Sequence, residues 1–523
     1  MTGVSALPHG PFAGTDPARP AVIVEPAGVV VTYAELEAQS NQAAHLFRHR
    51  GLRQGARVAI LAENRAEYLE LAWAAQRAGL YYVGVNTHLT PGEAAYIVRD
   101  SGAALVVATD VLGDLAEAAL SEPALATVGR LMTGEPRPGW ESYEDALSSQ
   151  PRTPVPDESE GDFMLYSSGT TGRPKGIARP LPGGPLGTYP DNAGRWLRDL
   201  LGFVPGDSYL SPAPLYHAAP LGWSMSVHRS GGTVVVLERF DAELALAVIE
   251  RRRITHSQWV PTMFVRLLKL PARVRARYDL SAMRQAVHAA APCPVEVKRA
   301  MIDWWGPILF EYYSSTEAIG ATAITSEEWL RKPGSVGTPL LGRPYVTDDD
   351  GRVLPAGEVG TVWFADAAEF AYHGDPGKTA AVRDGRGGAS VGDAGYLDED
   401  GYLFLSDRRT HLIISGGVNI YPREIEDALL VHPAVADVAV VGLPDAEMGE
   451  RVVAVVQLED PAAAGPGLAV DLVAFARTKL AGFKVPREIR FTAELPRTPT
   501  GKMRKHALKA SMTTPDPGRQ AAE

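Results

Sequence analysis

Short apolar runs alternate along most of the chain with stretches whose apolar residues recur at helical spacing. Arg57-Val-Ala-Ile-Leu-Ala62 reads as a buried strand, Glu67–Gly79 as a helix closed by glycine, and Leu80–Val85 as the next strand. Pro91–Asp100 then reads as helix and Ala104–Ala108 as strand. The same alternation returns with Thr233–Leu237, the helical Ala242–Arg253 and the strand Ile254–Val260. Strands separated by helices imply a parallel sheet covered on its faces, an α/β fold. From Gly334 to Phe364 the apolar runs are shorter and broken by Gly and Pro, which predicts a small antiparallel unit. Past Asp407-Arg408 the pattern changes again: strand His411–Ser415, helix Pro422–Val431, strands Val435–Val441 and Val452–Leu458, helix Leu472–Leu480. That is a compact α+β unit. The expected organisation is a large N-terminal domain of layered sheets with helices, residues 1–409, followed by a small α+β domain, residues 410–523. The polar, Pro/Gly-bearing tail Ser511–Glu523 is expected to be disordered.

Composition narrows the function classes. A chain of 523 residues that is 45% hydrophobic can bury large cores and should hold more than one domain. A net charge of -11 argues against a nucleic-acid-coating protein, which presents a broad basic face. A single cysteine, Cys293, precludes an intramolecular disulfide and suits a reducing cytoplasm. No secretory signal precedes the first strand, no stretch has the apolar length of a membrane span, and no solenoid repeat is visible. The arginines at 273, 275 and 277 read as a solvated face.

One stretch carries more chemistry than any other: Tyr166-Ser-Ser-Gly-Thr-Thr-Gly-Arg-Pro-Lys-Gly176. Ser167, Ser168, Thr170 and Thr171 supply hydroxyl donors, and Gly169, Gly172 and Gly176 let the backbone turn tightly. Successive N–H groups in such a loop make an anion-binding concavity, to which Lys175 and Arg173 add charge. Holding a polyphosphate is the chemistry that suits this collection. The P-loop of nucleoside triphosphatases requires Gly-Lys-Ser/Thr, and here Lys175 lies between Pro174 and Gly176.

The stretch closely resembles the phosphate loop of the adenylate-forming superfamily, which includes acyl-CoA synthetases, aryl-CoA ligases, nonribosomal adenylation domains and beetle luciferases. Further motifs follow in that family's order from about Ala21 to Leu508. In Glu311-Tyr-Tyr-Ser-Ser-Thr-Glu317 the resemblance implies that Tyr313 covers the adenine, Thr316 contacts the α-phosphate and Glu317 holds Mg²⁺; Ser314 stands at the family's usual Gly. In Val287-His-Ala-Ala-Ala-Pro-Cys-Pro294, Ala289 and Ala290 would pass under the base, and Cys293 is a small buried residue with no catalytic role. Pro214-Leu-Tyr-His217 resembles the element in which the histidine lines the acyl pocket. It lacks the Asp that pairs with an amino acid's ammonium, which favours an acid without an α-amino group.

Val391-Gly-Asp393 with Ser406-Asp-Arg408 would place Asp393 on the ribose hydroxyls and Arg408 on ribose or phosphate, whereas Asp398, Glu399 and Asp400 read as a solvated hairpin turn. The family's tryptophan before this motif is replaced by Gly387-Gly-Ala-Ser390, and Thr410 occupies the hinge position that carries Asp or Lys in relatives. Ser415-Gly-Gly-Val-Asn-Ile-Tyr-Pro422 resembles the segment that faces the site when the thioester forms, so Gly416 and Gly417 would admit the pantetheine arm of coenzyme A. Leu495-Pro-Arg-Thr-Pro-Thr-Gly-Lys502 resembles the mobile C-terminal lysine loop.

The resemblance implies an AMP-forming acyl-CoA synthetase of actinobacterial type that uses ATP, Mg²⁺ and coenzyme A, with Lys502, Thr316, Glu317 and His217 at the chemistry and a swinging C-terminal domain. A homodimer is common among similar enzymes. Local likeness around Thr255–Phe264 and Ser415–Pro422 favours a bulky polycyclic acid, steroid or terpenoid, followed by a long-chain fatty acid. The alternatives are a ligase loading an acyl carrier protein, or a catalytically silent or luciferase-like relative.

Overall fold

A computed structural model describes residues 7, 10–167, 174–408, 413–415, 418–445, 448–497 and 503–513. Ser168, Gly169, Thr170, Thr171, Thr410, His411, Gly416, Gly417 and Lys502 lie outside the described residues, as do the side chains of Ser167 and Arg408 and the boundary expected near residue 410.

The predicted parallel sheet is two sheets. A six-stranded sheet, all parallel, runs Glu141–Ser142, Gly129–Thr133, Leu105–Thr109, Arg57–Leu61, Tyr81–Gly84, Asp162–Phe163. Its strands are buried on both faces because helices such as Ala66–Arg77 and Pro91–Ser101 cover them, which is why they read as unbroken apolar runs. Thr90 begins the second of these helices with a reciprocal cap to Glu93, and Pro91 sits in the first turn, where its missing N–H costs nothing.

The second sheet has thirteen strands. Pro20–Glu25, Thr233–Leu237, Ser208–Ser211, His256–Trp259, Gln285–His288 and Leu309–Ser314 are parallel. At Leu309–Ser314 the direction reverses, since that strand pairs in parallel with Gln285–His288 and antiparallel with Ala321–Thr325. The stretch from Gly334 to Phe364 is antiparallel as its Gly/Pro punctuation predicts. It is no separate unit, however, but continues this sheet through Ser335–Leu341, Arg343–Thr347 and Gly360–Ala365. Gly337 makes the bend possible: its φ is 95° and a Cβ there would lie 1.8 Å from the Ala323 carbonyl oxygen. The tight packing between the two sheets centres on Phe12, Tyr33, Trp73 and His228, where the Trp73 indole donates to His228 Nδ1 at 3.0 Å.

The C-terminal unit is α+β as expected. A sheet of Ile413–Ser415, Val418–Ile420, Val435–Asp445, Gly449–Leu458 and Glu488–Thr492 packs against Pro422–Leu430 and Pro466–Lys479. The helix Pro466–Lys479 begins well before the apolar run at Leu472, because Pro466 is a favourable first-turn residue. Ser511–Thr513 are helical, the end of Lys505–Thr513, contrary to the expected disorder; the rest of the tail lies outside the described residues. Lys269 of the large unit donates to the Val435 carbonyl at 2.7 Å and pairs with Glu459, and Lys479 meets Glu296 at 2.6 Å.

Candidate functional site

Ligands of open α/β sheets sit at strand carboxyl ends where the topology switches, and Leu309–Ser314 is such a strand. Its side chains alternate. Phe310 and Tyr312 enter the core shared with Trp223 and Ala289, while Tyr313 packs on the opposite side, against Phe364 at 6.1 Å. Glu311, Tyr312 and Tyr313 are inside the strand, so the strand reaches further than the apolar Pro307–Phe310 suggests, and Thr316 and Glu317 follow its end.

The expected site residues that are described converge. Tyr313 Oη donates to Asp393 Oδ2 at 2.7 Å, joining two motifs far apart in sequence. Asp393 lies directly across from Arg408 in the antiparallel pair Asp393–Leu397 and Leu403–Arg408. The hydroxyl- and glycine-rich stretch is flanked by the antiparallel strands Leu165–Ser167 and Lys175–Ala178, with Ser167 opposite Lys175. Gly176 is small for packing: a Cβ there would meet Met164 Cε at 2.5 Å and the Tyr166 ring at 3.0 Å. Next in this small sheet is Ala371–Tyr372, whose Tyr372 pairs with Ile177. Tyr372 Oη donates to Glu317 Oε1 at 2.8 Å, and Lys175 Nζ lies 4.9 Å from the centre of its ring. Glu317 is only 7% exposed. Burial and the adjacent Lys378 ammonium push Lys175 down to about 8.

Four described non-glycine residues have positive φ, and two of them, Ala290 and Ala318, belong to the candidate site. Ala290 has φ 74° and Ala318, directly after Glu317, has φ 53°. Such left-handed non-glycine residues cost of order 1–3 kcal/mol and cluster at functional sites. Ala289 is buried, whereas Ala290 is exposed, so only Ala290 presents its methyl to an open surface.

His217 occupies the position just before the helix Ala218–Arg229 and is half-buried, its ring 4.6 Å from that of Tyr216. The loop before it is fixed by buried Asn64, which donates to the carbonyls of Ala213 (3.0 Å) and Leu237 (2.8 Å) and accepts from Leu215 N–H (2.8 Å). Beyond it Tyr312 accepts from the Trp223 indole at 3.2 Å and from Gln258 at 3.3 Å, so this wall is aromatic and ordered.

Behind the site, Lys298 Nζ meets Glu311 Oε2 at 2.5 Å, with side chains 0% and 6% exposed. His288 Nε2 is 3.7 Å from the same oxygen, and burial with Lys298 alongside keeps that imidazole neutral, far below its usual range. Cys293 is buried and its thiol is pushed up by that burial, in keeping with the expected inert role. Asp398 and Asp400 form the expected hairpin turn and are held by Lys332 at 2.8 and 2.5 Å. Arg273 and Arg277 are exposed, and Arg277 pairs with Glu243.

Tyr372, Lys378, Asn64 and Lys298 escaped sequence reasoning, as did the pairing of Lys298 with Glu311, the first residue of a motif the sequence does mark. Each matters through a contact to a residue distant in sequence, and none sits in a run of unusual composition. Among the described residues no group of three or more His, Cys, Asp or Glu could cage a metal, and no helix is long and apolar enough to cross a membrane.

Residues 12–370 match the AMP-binding enzyme family and residues 424–502 match the AMP-binding enzyme C-terminal domain. The chain is 34% identical to a fatty acid–[acyl-carrier-protein] ligase, ScoC, of Streptomyces coeruleorubidus, covering 94% of this chain and 93% of that protein. It is also 34% identical to a feruloyl-CoA synthase of an Amycolatopsis species, covering 94% and 95%. Among solved structures, ATP-bound MatB from Rhodopseudomonas palustris superposes with a TM-score of 0.79 at 31% identity, covering 95% of this chain and 96% of that one.

Proposed function

Because this chain belongs to the AMP-binding enzyme family, we propose that it is an ATP-dependent acid–CoA ligase working through an acyl-adenylate. The observation that carries this reading is the convergence of distant motifs through the Tyr313–Asp393 and Tyr372–Glu317 hydrogen bonds, with Lys175 against the same tyrosine.

Each half of the nucleotide then meets a suitable group. The base lies on Ala290 and the Tyr313 ring, and the ribose hydroxyls share the two oxygens of Asp393. The triphosphate extends toward Lys175 and the hydroxyl-rich loop that precedes it. Glu317 fits Mg²⁺: it is a hard oxygen donor with one oxygen engaged by Tyr372, and no full cage surrounds it among the described residues. Magnesium is commonly held in this way, by one or two carboxylates with phosphate and water completing its shell. When bound, the ion would offset charge on the phosphates.

The acid's carboxylate attacks the α-phosphorus; the bond to the β-phosphate oxygen breaks, and pyrophosphate leaves. Thr316 would contact the α-phosphate, and Lys502 would neutralise the oxygens on which charge grows, a kind of help often worth roughly a hundredfold or more. The sulfur of coenzyme A then attacks the acyl carbonyl, with AMP as leaving group. Gly416 and Gly417 would give the thiol its path once the C-terminal unit, taken as residues 410–523, has turned about Thr410. The absence of an acidic residue beside His217 supports an acid without an α-amino group. The acid itself is hydrophobic, with bulky polycyclic and long-chain acids tried first, in a cytoplasmic enzyme that forms a homodimer.

The ScoC likeness favours one second reading, transfer to a carrier protein. The test is a panel of steroid side-chain, terpenoid, aryl and fatty acids, scored by acid-dependent pyrophosphate release and by mass of the thioester with coenzyme A or with carrier protein. Acid-dependent pyrophosphate and a CoA-thioester are expected. Thioester on carrier protein alone selects the second reading, and no acid-dependent pyrophosphate with any member contradicts both.

A further inference from the structure

The loop that carries His217, residues 212–217, links the strand Ser208–Ser211 of the thirteen-stranded sheet to the helix Ala218–Arg229. It is gripped from the other sheet. There the strands Arg57–Leu61 and Tyr81–Gly84 lie side by side in parallel, with Ile60 opposite Gly84. Each brings one residue to the loop: Asn64 just past the carboxyl end of the first, and Gly84 as the last residue of the second.

Asn64 draws the loop in. Asparagine is among the favoured residues for capping a helix, yet the cap of Ala66–Arg77 is Arg65, which makes no side-chain bond there. The Asn64 amide instead reaches across: its N–H groups donate to the carbonyls of Ala213 and Leu237, and its oxygen accepts from Leu215 N–H. Leu237 ends the strand Thr233–Leu237, the neighbour of Ser208–Ser211. One buried side chain therefore ties the carboxyl ends of two strands to the loop. Aspartate could supply only the acceptor, and leucine none of the three bonds.

Gly84 lets the loop close. A Cβ there would lie 2.9 Å from the Tyr216 carbonyl oxygen, 3.1 Å from Tyr216 Cα and 2.7 Å from Tyr68 Oη. Even one methyl group would displace the backbone of Tyr216, the residue directly before His217.

We propose that Asn64 and Gly84 are positioning residues for His217, seating its loop on the carboxyl edge of the six-stranded sheet so that the ring meets the acid. The proposal rests on the reading above that His217 lines the acid site, and it adds two residues that act through the loop backbone. Tyr313 and Asp393, which would hold the nucleotide, stand on other strands and keep their places when the seat is disturbed.

The test is steady-state kinetics of acid-dependent pyrophosphate release by the full-length protein, with whichever of palmitate, cinnamate and cholate it uses fastest. Asn64→Ala and Gly84→Ala should each raise the KM for the acid about tenfold or more, the size of one or two lost buried hydrogen bonds, and leave the KM for ATP within about twofold. His217→Ala should raise the acid KM by itself. Adding either substitution to His217→Ala should then raise it by less than about twofold more, because the seat has no ring left to place. Should Asn64→Ala fail to fold, Gly84→Ala carries the same comparison. Effects that multiply in the double variants, an acid KM unchanged by both single substitutions, or an equal rise in the KM for ATP overturns the positioning role. An acid KM unchanged in His217→Ala overturns it from beneath, by removing His217 from the acid site. No pyrophosphate release from the unsubstituted protein with any of the three acids contradicts the ligase reading itself.

Discussion

Replacing Lys298 by Met leaves a carboxylate buried without its cation. Lys298 and Glu311 are 0% and 6% exposed and 2.5 Å apart, so the pair is desolvated almost completely. Removing one member of such a pair typically costs about 3–5 kcal/mol, because the survivor keeps its desolvation penalty and loses the partner that offset it. Exchanging both for apolar residues of similar size costs far less and can even stabilise. Lys298→Met should therefore lower the free energy of unfolding by about 3–5 kcal/mol, and Lys298→Met with Glu311→Leu should recover most of that. His288, 3.7 Å from the stranded oxygen, adds a signature. With Lys298 gone, protonated His288 is the cation nearest Glu311, so the loss should be smaller at pH 5.5 than at pH 8. Urea unfolding followed by tryptophan fluorescence reads this, since Trp329 lies under Lys298, 5.0 Å from ring centre to ammonium. A single substitution costing under about 1 kcal/mol at pH 8, or a double no better than the single, would refute the reasoning.

Lys502→Ala should abolish acyl-AMP formation yet leave thioester formation from supplied acyl-AMP, whereas Gly417→Leu should do the reverse; equal loss of both half-reactions in either variant contradicts two faces of one swinging domain. Glu317→Ala should raise the magnesium concentration needed for pyrophosphate release several-fold, and an unchanged magnesium dependence would place the metal elsewhere. His228 is buried and held neutral by that burial, down to about 4, while the unfolded chain takes up its proton near 6.5. The unfolded state thus binds more protons between those values, so stability is intact above pH 6.5 and falls by up to about 3 kcal/mol as pH drops toward 4. His228→Asn should flatten that part of the pH–stability curve, and an unaltered slope would assign the acid sensitivity to other groups.

The order of strands and helices in the large domain was legible because parallel strands covered on both faces leave uninterrupted apolar runs, as at Arg57–Leu61 and Thr233–Leu237. The Gly334–Phe364 strands were legible one by one, but their membership of the large sheet was not. It depends on Gly337 passing close over Ala323, a contact between residues the local pattern does not relate. At the candidate site, Tyr313, Glu317, Lys175 and Asp393 could be picked out because each falls in a short run of distinctive residue types. Tyr372 and Asn64 act singly, each through hydrogen bonds to far segments, so no local run marks them. Ala290 and Ala318 carry their information in φ, which an alanine's identity conceals.

A crystal structure with bound AMP tests the single nucleotide seat most directly. Adenine between Ala290 and Tyr313, ribose hydroxyls on Asp393 and the phosphate beside Thr316 is the predicted result. AMP resting away from Tyr313, Asp393 and Thr316 would contradict it, however close the family likeness.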